Sequence, residues 1–243
     1  MENQNPDYVY QNVVQIEDAD QSRKFIASVF LWMFVALGIS SVLAYAFANY
    51  QPLKDVLIDP VTNQSTGLAF IIMLSPLAFV LTMSFGVNRI SYTGLSVIFI
   101  LYSIATGISL SYILWFYTTS SVIGVFLTSA VVFGIMAVAG YTTKTDLTKF
   151  GSLMMMLLVG IIVASIVNWF LHSSGLSMLI SYIGVAVFVG LTAYDVQKLK
   201  RIGAGLEYGD ASAKKMALMG GLTLYLDFVN LFLFLLKIFG RKR

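Results

Sequence analysis

Seven apolar runs, each about the twenty residues a helix needs to cross roughly 30 Å of hydrocarbon, constrain this chain more than any other feature. They are residues 25–49, 67–87, 93–117, 122–142, 150–172, 176–197 and 216–239. The third and fourth are divided only by the polar stretch TTSS, residues 118–121. In lipid, every backbone amide and carbonyl must find its partner within the protein, which leaves helices or closed barrels. These runs are continuous rather than alternating, so the fold class is all-α: a membrane protein of seven transmembrane helices. Composition agrees, with 58% of the 243 residues hydrophobic and 11% charged, against about 25% charged in a soluble domain. Mean hydropathy is +0.83. Pro76, inside the second run, removes a helical hydrogen bond and predicts a local kink.

The first 22 residues carry Glu2, Asp7, Glu17, Asp18 and Asp20 but no Lys or Arg. A secretory signal would show the reverse, a basic start followed directly by an apolar stretch. The expected division is therefore an acidic tail, residues 1–22, and a seven-helix transmembrane domain, residues 23–243. No cysteine is present, which excludes disulfides, thiolate nucleophiles and Cys-ligated metals. The net charge of +3 does not point to nucleic acid, because the cations are scattered over the inter-helix loops and form no patch interleaved with aromatics.

Those cations instead report orientation. Ten lie on the side of the N terminus: Arg23 and Lys24, then Arg89, then Lys144 and Lys149, and five between residues 198 and 215. Five lie on the other side, namely Lys54, Lys237, Arg241, Lys242 and Arg243. The positive-inside rule puts the N terminus in the cytoplasm. The basic C terminus opposes the rule if all seven runs cross and obeys it if the last is re-entrant. Seven crossings is the reading adopted.

Several features have ordinary structural explanations. Trp115 and Trp169 fall at the outer ends of their runs, where indoles favour the interface. Ala186 and Gly190 allow close helix contact. Met154–Met156 reads as core or lipid-facing filler, and residues 51–66 read as a loop. Asn63-Gln64-Ser65 matches the glycosylation pattern, which matters only in a secretory-pathway protein. Neither a repeat nor a low-complexity segment is evident.

Of twelve acids, only Asp195 and Asp227 lie inside the runs. A carboxylate in hydrocarbon is costly and marks a functional position by default. Asp195 is close to Lys198 and Lys200, so solvation at a helix end also accounts for it. Asp227 lies about 14 to 17 Å inside the last run, too deep for snorkelling. Its same-face neighbours are Gly220, Thr223 and Asn230, a small and polar stripe on an otherwise apolar helix. Those of Asp195 are Thr192, Leu191, Phe188 and Gly184. Both acids fall in the cytoplasmic halves of consecutive antiparallel helices, so they can meet. Two carboxyl groups in a low-dielectric site share a proton and titrate as a coupled pair. They also offer hard oxygen ligands suited to Ca²⁺, too few for a closed cage but enough for a transient site in a permeation path.

At these residues the chain resembles the transmembrane Bax inhibitor motif family, through AYDVQKLK at 193–200 and LYLDFVNLFLFLLKIFG at 224–240. The resemblance implies a seventh helix at the centre, surrounded by the other six. It implies a pH-sensitive calcium leak gated near Asp195 and Asp227, with calcium ions and protons as the species handled and no tightly bound cofactor. Relatives are linked to cytoprotection, and bacterial ones reside in the cell (inner) membrane. In some relatives an arginine on the second helix latches onto the sixth-helix acid, for which Arg89 is the candidate here. Some also carry an acid on the second helix. This chain has none between residues 67 and 87, which predicts weaker ion attraction.

Two other classes remain open. Intramembrane aspartyl proteases also place Tyr-Asp on a sixth span, as Tyr194–Asp195 does, and a second Asp on a seventh. Asp227, however, follows LYL rather than completing G-x-G-D, and the downstream P-A-L is missing. No catalytic residue is therefore assigned. A rhomboid-like serine protease needs a buried histidine, and the one histidine, His172, sits at a span edge. Heptahelical receptors share only the span number. The third class is a non-conducting regulator that binds partner membrane proteins, for which the acidic tail offers a surface.

Overall fold

The structure, a computed structural model, describes residues 6–206 and 210–243. Its helices are α1 (Pro6–Asn49), α2 (Gln51–Leu57), α3 (Gly67–Gly86), α4 (Tyr92–Phe116), α5 (Thr119–Thr142), α6 (Thr148–Leu171), α7 (Ser174–Ala204) and α8 (Ala211–Phe239). All but α2 are long and apolar enough to cross a membrane, and the described residues contain no strand. The protein is an all-α, seven-span membrane protein. Side-chain oxygens fix where several helices start. Thr66 accepts from the Ala69 amide, Ser91 from Gly94, Ser173 from Leu176 and Asp210 from Ala211, each satisfying a donor that the first turn leaves free.

Two boundaries differ from expectation. Residues 51–66, expected as a loop, begin with the short helix α2, because Pro52 stands in its first turn with φ already set for a helix. Leu57 anchors α2 in the core. The remaining turn is held by Asp59, whose carboxylate accepts from the Val61 amide, and Asn63 takes a left-handed φ of 55°. Second, α1 starts at Pro6, so its backbone runs helically through most of the segment expected as a tail. Residues 1–5, and the acidic side chains of Asp7, Glu17 and Asp18, lie outside what the structure describes. Asp20 is described and pairs with Lys24 one turn on, at 2.6 Å.

The core is built on α8, the most buried of the spans. Tyr225, Leu224, Leu218 and Leu231 are wholly buried. α8 packs on α1, α4, α5 and α7, whereas α3 leans on α4 and α6 on α7. α3 and α6 face α8 across a cavity. Small residues set the closest approaches. Gly140 of α5 lies directly against the backbone of Ala193 in α7, and Gly190 of α7 lies under Met154 and Phe150 of α6. Ala186, expected to share that role, is exposed. Of the methionine run, Met154 is buried while Met155 and Met156 face outward.

Pro76 is accommodated within α3. The Ile72 carbonyl, which loses its helical donor, accepts from the hydroxyls of Ser75 at 2.8 Å and of Ser109 on α4 at 3.4 Å. Neighbouring hydroxyls are how lipid-embedded helices tolerate proline.

Contacts between segments mark the two ends of the bundle. At one end Ser22 of α1 donates to the Lys200 carbonyl of α7. At the other, the segment after α8 pairs with the connection between α4 and α5: the Thr118 amide donates to Arg241 and the Arg243 amide to Phe116, both at 3.0 Å. Asp20 and Arg243 thus lie at opposite ends, and the last span is not re-entrant. Trp115, bonded to the Ala48 carbonyl, and the exposed Trp169 both fall at the Arg243 end.

Candidate functional site: an acid pair in a membrane-depth cavity

Just beyond Asp195, α7 is tied down by a set of hydrogen bonds. Gln197, buried, accepts from the Leu147 amide at 2.9 Å and donates to the Thr145 carbonyl at 2.8 Å. Lys200 donates to the Tyr141 carbonyl at 2.8 Å, and Arg201 pairs with Asp146 at 2.9 Å. These bonds tie α7 to the α5–α6 connection. The hydroxyl and amide of Thr148, followed by Arg201, hold the Asp146 carboxyl down to about 2.

Asp227 comes from the middle of α8 and is only 5% exposed. It stands close enough to the partly buried Asp195 for the two carboxyls to act on each other. Two ionised carboxylates have no donor between them, and Oδ2 of Asp227 would then stand buried without a partner. A proton held between the two groups would supply such a donor.

Both acids line a cavity of about 920 Å³ walled by α6, α7 and α8, with Leu77 of α3, the residue after the proline, on its remaining side. Thr223 and Asn230 line it too, so the polar stripe of α8 faces this space. Gly220, assigned to the same stripe, does not: it packs against Leu199 and Val29. Of the neighbours of Asp195, Phe188 and Leu191 face the cavity. Thr192 is buried and donates to the Phe188 carbonyl. Asn230 donates one amide hydrogen to Leu226 within its own helix at 2.8 Å, and it keeps its oxygen available.

Toward the Arg243 end the lining is apolar except for Ser165 of α6. Phe188 and Phe234, about 10 Å along their helices from the acids, stand with ring centroids 5.9 Å apart. Gly184 lies beneath the Phe234 ring, where a Cβ would meet it at 2.7 Å.

Arg89 lies in the turn after α3, exposed, and the ion pairs among the described residues do not include one between it and Asp195. The cation that acts on Asp195 is Lys198, one turn along α7 and itself on the cavity wall. Sequence reasoning saw Lys198 only as a neighbour that could solvate the acid. The i, i+3 spacing was the available signal for more. The α6 wall, Leu158, Ile161, Ile162, Ser165 and Ile166, had little signal, since a lone serine among apolar residues does not set one face of α6 apart. His172, exposed, ends α6 in a left-handed conformation. Among the described residues no third Asp, Glu or His joins the pair. Two carboxyls give at most four oxygens, fewer than the six to eight of a calcium shell, so an ion held there would keep part of its water.

Six spans arranged about the last, with two carboxyls facing one cavity, define a polytopic membrane protein with an acidic centre. The chain belongs to the Bax inhibitor family: the family described as "Inhibitor of apoptosis-promoting Bax1" matches residues 22–243. It is similar to the inner membrane protein YbhL of Escherichia coli (strain K12), 43% identical over 220 residues that cover 90% of this chain and 92% of the relative. A protein of Borreliella burgdorferi is 44% identical over 220 residues, covering 90% and 93%. One of Deinococcus radiodurans is 38% identical over 231 residues, covering 95% and 96%.

Proposed function

We propose that the protein is a pH-sensitive calcium leak of a bacterial inner membrane, with its N terminus in the cytoplasm and with Asp195 and Asp227 as its gate. The observation that carries this reading is the pair itself: the two acids of the spans meet in the wall of one cavity. With one proton between them, the pair carries a single negative charge and draws α7 and α8 together. Loss of that proton leaves two like charges in a poorly solvated site, which must separate, gain water or take up a cation. Ca²⁺ and protons are then the species handled. Thr223 and Asn230 supply further oxygens along the path, and the Phe188–Phe234 rings form the apolar barrier beyond it. No bond is made or broken, so the reading assigns no catalytic residue and no resident cofactor. Family membership and the similarity to an inner membrane protein support the location.

The test is Ca²⁺ flux in vesicles of purified protein, followed across pH. The wild type should show a pH-dependent flux. Asp195→Asn and Asp227→Asn should each abolish the coupled transition, and the double variant should add little to the stronger single, because groups acting as a unit are not additive. Additive effects, or none, would refute the shared-proton gate. Cleavage of a transmembrane peptide that both substitutions abolish would move the pair to protease chemistry.

A further inference from the structure

α1 and α5 both pack on α8 but stand apart from each other, leaving a cleft open to the surrounding lipid. One stretch, about 340 Å³, is lined by Leu37, Ser41, Tyr45, Thr119 and Val122, with Phe228 and Phe232 of α8 as its floor. A second stretch, about 370 Å³, includes Phe30, Gly38, Phe133 and Gly134. The two share Leu37, Ser41, Phe126 and Phe228 and so form one groove. Along α5 from Thr119 to Gly134 it runs about 22 Å, longer than the roughly 15 Å half-thickness of the hydrocarbon layer. Gly38 and Gly134 leave it wide: a Cβ at either would meet nothing within 4 Å.

The mouth of the groove is cationic. Arg243 donates to the hydroxyl of Thr119, which lines the groove, at 3.4 Å. Arg241, Lys242 and Lys237 stand beside it, all exposed, and Lys237 and Lys242 are close enough to repel each other. None of the four belongs to an ion pair among the described residues. With the N terminus in the cytoplasm, these are the charges that the positive-inside rule does not explain. They are also fixed in place, because the backbone of residues 241–243 is bonded to the α4–α5 connection.

We propose that the α1–α5 groove and the Arg241–Arg243 segment form one binding site for an anionic phospholipid of the adjoining leaflet. An acyl chain lies over Phe126 and Phe228, and the phosphate sits at the cations. Lipid tails enter any such groove; the cations add selection by headgroup, and the length of the groove adds residence.

The experiment reconstitutes the full chain in vesicles of equal phosphatidylglycerol and phosphatidylcholine, extracts it gently, and identifies retained lipid by native mass spectrometry. The wild type should retain phosphatidylglycerol in clear excess. R241Q/K242Q/R243Q keeps the backbone bonds, and its preference should fall about fivefold for each cation removed. G38F, which fills the groove without a backbone clash, should lose retained lipid of both kinds while its thermal unfolding is unchanged; G134F fills it from the opposite wall should the first fail to fold. Equal retention of the two lipids by the wild type overturns the proposal. So does a preference that survives the triple substitution, or retention undiminished in a folded groove-filling variant. A lipid-free dimer that G38F disperses overturns it as well, since the groove would then seat a second copy.

Discussion

A carboxylate is as stable as its neighbours make it, and Asp146 and Asp227 stand at opposite extremes of that rule. Asp146 is in water and surrounded by donors: the Thr148 hydroxyl at 2.6 Å, the Thr148 amide and Arg201, both at 2.9 Å. Its folded-state value, about 2 against an ordinary 3.8, lies below the unfolded one. Its bonds therefore favour the fold above the ordinary value and are lost as pH falls toward 2. The Thr148 amide resonance should titrate with a midpoint near 2 in the wild type and stay flat in Asp146→Asn; titration with an ordinary carboxylate midpoint would contradict the geometry. The sequence offers only the local half of this arrangement, Thr148 two residues on, because Arg201 is 55 residues away. Asp227 was legible for the opposite reason. An acid in an apolar run needs only its own helix to be noticed, and so does the stripe of Thr223 and Asn230. Which cation reaches Asp195 was only partly legible: the i, i+3 spacing favours Lys198, but packing is what puts Lys198, and not Arg89, on the cavity wall.

At the scale of helices, hydropathy located every span but not every end. The run 176–197 belongs to a helix that continues to Ala204, and the run 216–239 to one that starts at Ala211. Hydrocarbon contact stops where the lysines begin, whereas backbone bonding continues until a cap ends it. α2 escaped notice because seven residues with one buried leucine carry too little periodicity to read. Helix neighbours were equally illegible, since lipid-facing and protein-facing surfaces are both apolar. Small residues are the exception, and Gly140 is the clearest. A methyl group there would collide with the carbonyl of Ala193, two residues from Asp195. Gly140→Ala should push α5 off α7, at a cost of about 1 to 3 kcal/mol, and should shift the pH profile of flux as well. A variant with wild-type unfolding and wild-type flux would show that the contact is not a fixed one.

For the whole molecule, the seven crossings make a topological statement that the absence of cysteine renders easy to check. Single cysteines placed at Asn63 and at Lys242 should react with an impermeant reagent from one side of the membrane, and one at Lys144 from the other. Labelling of Lys144 and Lys242 positions from the same side would mean that α8 does not cross. The helical fold and the number of spans follow from the length of the apolar runs. The order in which those helices touch does not, because it depends on shape, as at Gly140 and Gly190.

That α8 is both the most buried span and the one that follows the other six bears on biogenesis. The ribosome delivers the centre of the bundle after its walls. Until residues 211–239 emerge, Val29 and Met33 of α1, buried in the finished protein, have no α8 to pack against. Ser40 lacks the Tyr225 hydroxyl it meets at 2.7 Å, and Asp195 lacks its partner carboxyl. The six-span chain thus holds these groups without their final partners, and entry of the seventh span is the step that closes the fold.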